Sequence, residues 1–279
     1  MSSAAEAGPK RAEINLDLDQ LVSIMHVGIR RSSAFLKLGI QIADLEMPGD
    51  MVLTGGMSFN FWPNNLSDEV KEGIRKEFRA WLIGSCLREL DQHLSLFLDQ
   101  AWHLLRLSEL HGKTLPSSEM IEFDKRFAAE TNTSRKFAAL KEKIDIEIAA
   151  DSHNSLSLAR NSLTHGMGRV RSRDCNRDSA LEVLWISPEG FLQDGDKEIL
   201  LRDAVFERYL ISSPEGATVT LRFTKHRKIF KLGEQIEFSA HELAEICFFY
   251  HQQAEVTKAG MLNYFKAKGI NPRVPVEAT

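Results

Sequence analysis

No stretch of the 279 residues approaches the roughly 18 consecutive apolar residues that a membrane-crossing helix requires, so no membrane partner is expected. Cysteine is scarce. Cys86, Cys175 and Cys247 are odd in number, widely spaced and without a C-x-x-C pair, which leaves neither a disulfide framework nor a zinc ribbon and fits a reducing, cytoplasmic setting. Charge of either sign is not in large excess either. A net charge of −4 and a pI near 6.2 exclude a protein that coats nucleic acid along its whole surface, so any anion site must be a local patch. P-loop, G-x-S-x-G and H-E-x-x-H patterns are all missing, and Gly166-Met167-Gly168 follows a helical pattern rather than a strand, so it fails as a dinucleotide loop. Internal repeats, heptad arrays and low-complexity blocks are missing too. No cofactor and no metal are expected: Cys247 and His251, one turn apart in ICFFYH, read as packing without a recognisable third ligand.

What is present is an ordinary globular composition, 43% hydrophobic and 27% charged, with enough chain to bury a substantial core. Residues 1–15, small and polar, read as a disordered, uncleaved tail. Within 16–66, Leu18, Leu21, Val22, Met25 and Ile29 recur at helical spacing, and the Pro-, Gly- and Asn-rich stretch from Ala43 to Leu66 predicts a loop or a small strand pair. Residues 67–178 form the core of the expected bundle. A long proline-free helix starts at Ser67 and carries Ile74, Phe78, Trp81, Leu82, Leu90, Leu94, Phe97, Ala101 and Leu105 on one face. Gly73 and Gly84 are candidate bends in it. Further helical patterns occupy 118–130, 134–148 and 150–165, the last closed by Gly166 as a C′ residue. Residues 179–238 change character, with LEVLWI, EILL, TVTLRFT, RKIFKL and QIEF as short β-rich runs between turns. Ser239 and Glu242 form a capping box that opens a final helix over 239–268, and 269–279 is a tail. The fold class is therefore mainly α (α+β): a helical bundle with a small antiparallel sheet inserted before the C-terminal helix.

The stretch ARNSLTHGMGRVRSR, residues 159–173, concentrates the chemistry. An Arg followed five residues later by His is weak alone: with 19 arginines and 9 histidines, chance placement gives roughly 0.6 such pairs. Three exist, Arg88/His93, Arg106/His111 and Arg160/His165. The first two lie inside the long helix, where Arg88 with Asp91, Glu89 with His93 and Arg106 with Glu109 read as ordinary helix-surface pairs. Asn161 directly after Arg160 lowers the chance expectation to roughly 0.02. At about 100° per residue Asn161 and His165 lie about 40° apart on one face, and Arg160, about 140° from His165, reaches the same region only by curling its side chain.

These residues resemble the signature of the HEPN superfamily: Arg160, the polar Asn161, three variable residues Ser162, Leu163 and Thr164, then His165 and a trailing glycine. The looser resemblance covers the helices from about Ser67 to Gly168. It implies a HEPN-like helical bundle, a homodimer with two motif copies in one cleft, and metal-independent endoribonuclease activity on single-stranded RNA with Arg160, Asn161 and His165 as catalytic residues. A toxin-like or defence-related role with an antitoxin partner is the corresponding physiological expectation, and a catalytically inactive module that binds nucleotides or proteins is the alternative. Glu89 is a candidate accessory acid. Two basic clusters, Arg169, Arg171, Arg173 and Arg177, and Lys225, Arg227, Lys228 and Lys231, offer RNA phosphate contacts, with Trp185, Phe223 and Phe230 as candidate stacking surfaces.

Overall fold

The computed structural model describes residues 16–43, 66–109, 127, 129–130, 132–147, 149–194, 197–201 and 219–271, with backbone alone at 51–54 and 57–59. The expected tail 1–15, most of the helix expected over 118–130 and the tail beyond residue 271 lie outside the described residues. The chain is mainly helical with a small three-stranded antiparallel sheet before the last helix. In order, the elements are α1 (Leu18–Ala43), a strand pair β1 (Met51–Thr54) and β2 (Met57–Phe59), α2 (Asp68–Glu109), α3 (Thr133–Lys141), α4 (Ala150–His165), β3 (Ala180–Asp194), β4 (Lys197–Leu200), β5 (Val219–Lys231) and α5 (Ala240–Ala267). Among the described residues, no helix is long and apolar enough to cross a membrane.

The 42-residue α2 is the spine, and it runs unbroken. Its buried stripe includes Leu87, Leu90, Leu94, Phe97, Leu98, Ala101 and Leu105, all at 2% exposure or less, which is the 3.6-residue periodicity expressed as burial. Trp81, placed on that stripe from spacing, is 63% exposed instead. At Gly84 α4 crosses closely, since a Cβ there would lie 2.9 Å from Leu163 Cβ. The α1 and α5 helices pack against each other and against α2, burying Leu18, Leu21, Val22 and Met25 on one and Leu243, Ile246, Phe249 and Tyr250 on the other. At the start of α5 the capping box is formed as expected: Ser239 Oγ accepts from Glu242 N at 3.1 Å and Glu242 Oε2 accepts from Ser239 N at 2.6 Å.

The helix expected over 134–148 is shorter, closing at Lys141. From Ile144 the chain buries every second residue: Ile144 and Ile146 are in the core while Asp145 and Glu147 face out. KIDIE has the period of an extended strand, which overrides the helical pattern before it.

β3 pairs with β5 from Ala180 opposite Lys231 to Leu192 opposite Val219, and at its far end with β4. Leu181, Val183, Trp185 and Ser187 alternate inward, against α4 and α5. Trp185 and Phe230 are each 3% exposed, so they are core residues and not stacking surfaces for a nucleic acid. Only Phe223 of the three candidates stays exposed.

One of the core groups described titrates at a cost. His153, on α4, is 1% exposed and lies among the rings of Phe137, Phe249 and Tyr250, with neither ring nitrogen hydrogen-bonded. Burial pushes its pKa down from 6.5 to about 3, against an opposing effect of the nearby Gln253 amide. The unfolded chain therefore binds a proton that the folded chain refuses, so this contribution to stability is complete above pH 6.5 and is lost as pH falls towards 3. By pH 5 the loss reaches about 2 kcal/mol. Denaturant titrations of the wild type and of His153→Leu at pH 7.5 and pH 5 measure it: the acid-induced loss should shrink in the variant, and an equal loss in both chains would contradict this assignment.

Candidate active site

The motif helix was legible to the residue: α4 ends at His165, with Gly166 as its cap. Gly166 N donates to Ser162 O at 2.8 Å, and Gly168 N reaches the same oxygen at 3.3 Å. The left-handed residues are not Gly166 but the next two, Met167 (φ 50°) and Gly168 (φ 81°). Gly168 needs its freedom doubly, because a Cβ there would also lie 2.8 Å from Ala80 Cβ and 2.2 Å from Gln235 Nε2. From this turn the chain runs antiparallel to the residues after β5, with Ile236 N donating to Gly168 O at 2.7 Å and Val170 N to Glu234 O at 3.0 Å. The end of the motif helix is thus fixed to α2 on one side and to the β-sheet turn on the other.

Arg160 is the centre of the polar network. Its Nη1 donates to Asp91 Oδ2 at 2.7 Å, while its Nη2 and Nε donate to Asn161 Oδ1 at 3.0 and 3.3 Å. The curl demanded by the 140° offset therefore occurs, and Asn161 receives the guanidinium. Asp91 comes from the buried stripe of α2 and its side chain is 7% exposed; Tyr250 of α5, fully buried, donates its hydroxyl to Asp91 Oδ1 at 2.5 Å. Burial pushes the Asp91 carboxyl above its ordinary range, against the pull of Arg160, Tyr250 and Ser157. The Tyr250 hydroxyl is held well above its ordinary value, first by burial and then by the adjacent Asp91, so it remains a donor. Arg160 keeps two of its five N–H groups without a partner among the described residues, and its side chain is 29% exposed.

His165, one turn beyond Asn161, is exposed and makes no hydrogen bond or ion pair among the described residues. Met167, two residues further on, is 79% exposed, and Trp81 lies next to Ala80, the residue that abuts Gly168. A single protomer presents the motif at an end with apolar side chains in water.

The structure reassigns several residues expected at the site. Asp91 does not pair with Arg88 on the helix surface; it is the buried partner of Arg160. Glu89, the candidate accessory acid, makes the expected helix-surface pair with His93 at 3.6 Å and also lies 3.0 Å from Arg31. Arg106 with Glu109 is the helix-surface pair expected, at 2.6 Å. Arg171 is engaged within the chain. It grips Asp174 with two bonds, at 2.6 and 3.1 Å, and donates to Asn161 O at 3.0 Å, closing the exposed carbonyl end of the motif helix. Burial raises the Asp174 carboxyl, but hydrogen bonds from Arg171 and Ser162 outweigh it and hold the group below its ordinary range. Lys228 is bound to both oxygens of Glu242, at 3.0 and 2.8 Å. Arg169 donates to Gly233 O at 3.2 Å, and Arg177 and Arg227 lie 3.0 and 3.9 Å from Glu182. Arg173 and Lys225 are exposed.

A second polar cluster lines an open cleft of about 740 Å³ between the sheet and α5. Ser187 Oγ lies 2.8 Å from His226 Nε2 and 2.9 Å from Glu245 Oε1, and Trp185 Nε1 donates to Glu245 Oε2 at 2.9 Å. The Ser187 proton goes to the carboxylate, so the imidazole donates to the hydroxyl. This is the reverse of the polarity that activates a serine nucleophile.

Comparison of the chain with protein-family models, with curated proteins and with solved structures finds no match.

Proposed function

We propose that the protein is a metal-independent, HEPN-type endoribonuclease that cleaves single-stranded RNA in a cleft shared by two copies of the chain. The observation that supports this reading best is the buried Asp91–Tyr250 pair beneath Arg160, which presents a partly exposed guanidinium with two spare N–H donors above Asn161, with His165 exposed at the end of the same helix. In the reaction the ribose 2′-oxygen attacks the adjacent phosphorus, and the bond from phosphorus to the 5′-oxygen breaks. One His165 accepts the 2′-hydroxyl proton and the partner subunit's His165 supplies a proton to the leaving oxygen. The spare N–H groups of Arg160 bind the non-bridging oxygens, where charge accumulates. Exposed Met167 and Trp81 are apolar surface that a second copy would cover, which brings two motifs together about a two-fold axis.

A silent, nucleotide- or protein-binding module is the second reading, and the ion pair itself favours it, because Asp91 neutralises much of the charge of Arg160. The two separate on product chemistry. Untagged protein incubated with single-stranded RNA in EDTA should leave 2′,3′-cyclic phosphate ends; nucleotide binding without any cleavage would select the silent module. A toxin-like or defence-related role, and an antitoxin that holds the nuclease in check, follow only from the first reading.

A further inference from the structure

The α1–α5 contact brings together three groups that the motif does not use. His251 and Glu255 are four residues apart on α5 and share a face, and His26 of α1 stands opposite them. His26 Nε2 lies 3.1 Å from His251 Nδ1 and 4.0 Å from Glu255 Oε1, and one ligand atom from each of the three lies within 4.8 Å of the others. We propose that His26, His251 and Glu255 form a binding site for a zinc-class divalent cation that clamps α1 to α5.

The chemistry of the donor set selects the ion. Two imidazoles and one carboxylate suit Zn²⁺ and its borderline neighbours Co²⁺ and Ni²⁺, whereas Mg²⁺ and Ca²⁺ require oxygen shells. Geometry agrees. Two nitrogens bound about 2.0–2.1 Å from a tetrahedral zinc sit about 3.3–3.4 Å apart, so the two imidazoles need to separate by only a few tenths of an ångström. Glu255 Oε1 must close on His26 Nε2 by about 0.6–0.7 Å, which its side chain, 40% exposed, can do by rotation.

In the metal-free protein the facing nitrogens share one proton, and binding moves it: the donor ring changes tautomer so that both lone pairs point at the ion. The two nearby cations are already directed elsewhere. Arg30 Nε turns back to the His26 carbonyl at 3.4 Å, and Lys258, 3.9 Å from Glu255 Oε2, is bonded to Asp19. Glu255 Oε1 is left turned to His26. Three protein ligands leave the fourth position to water. The site shares no residue with the motif and does not rest on the nuclease reading.

The test uses the untagged full-length chain, stripped with EDTA and dialysed free of it, then titrated with Zn²⁺, Co²⁺ and Mg²⁺ by calorimetry and absorbance. One equivalent of Zn²⁺ should bind and raise Tm. Co²⁺ should give visible bands of nitrogen and oxygen coordination without a thiolate charge-transfer band, which separates this site from the three cysteines. His26→Ala and His251→Ala should each weaken Zn²⁺ binding by at least about 100-fold, more than the loss of a supporting contact outside the coordination shell. Both histidines are partly exposed, and a retained metal-free Tm certifies that the variants are folded. Absence of stoichiometric binding, unchanged affinity in the two variants, or a cobalt–thiolate band would each overturn the site.

Discussion

His165→Ala should lower the rate of single-stranded RNA cleavage by about 10²–10⁴-fold while leaving the melting temperature where it was. The two halves of that result have different origins. The rate falls because no other histidine lies in the motif to move a proton at the scissile phosphate. The fold is untouched because His165 is exposed and has no partner among the described residues. Arg160→Ala should abolish cleavage as well, but with a stability cost, since it strands Asp91 in the core. Melting curves beside single-turnover rates distinguish the two, and a His165→Ala chain that cuts at the wild-type rate removes the nuclease reading.

The second large effect is on stability. Asp91→Ala should cost about 3–5 kcal/mol, the range for breaking a buried ion pair by removing one partner, because Arg160 loses its counter-charge and the Tyr250 hydroxyl loses its acceptor in the core. Tyr250→Phe removes only a donor and should cost about 1–3 kcal/mol. The double variant should be less destabilised than the sum, since both changes act on one network. Urea titration of the three chains measures the coupling; strict additivity would mean that the network is not one unit.

Physical reasons separate what was legible in the sequence from what was not. The motif helix was readable because its period, its polar signature and its terminal glycine agree, and α4 closes at His165 as the spacing predicts. The capping box of Ser239 and Glu242 was equally plain, being a local pattern of side chain and backbone. Asp91 was misplaced because helix-surface pairing treats charges as neighbours along one helix, while its true partners are 69 and 159 residues away. A signal existed: Asp91 lies four residues after Leu87 and three before Leu94, so it is a carboxylate on an apolar stripe. Such a position demands a buried donor. Partners of the basic clusters are hidden from the sequence for a related reason. Arg171 and Lys228 look like free cations in a list of residues, but Asp174 and Glu242, brought near by a turn and by the sheet, already bind them. Near Cys247 and His251 the sequence shows no recognisable third ligand. Glu255 was in view one turn on, but His26 lies 225 residues earlier, and no local pattern reaches that far.

The central claim is that two copies of Arg160 and His165 build one phosphate-cleaving cleft. The rate of RNA cleavage per chain, measured in EDTA across a dilution series that spans the monomer–dimer transition seen by sedimentation, tests it most directly. The account predicts a per-chain rate that falls in step with the dimer fraction, with 2′,3′-cyclic phosphate ends throughout. A rate that persists unchanged in the monomer, or a dimer that never cuts RNA, would contradict it.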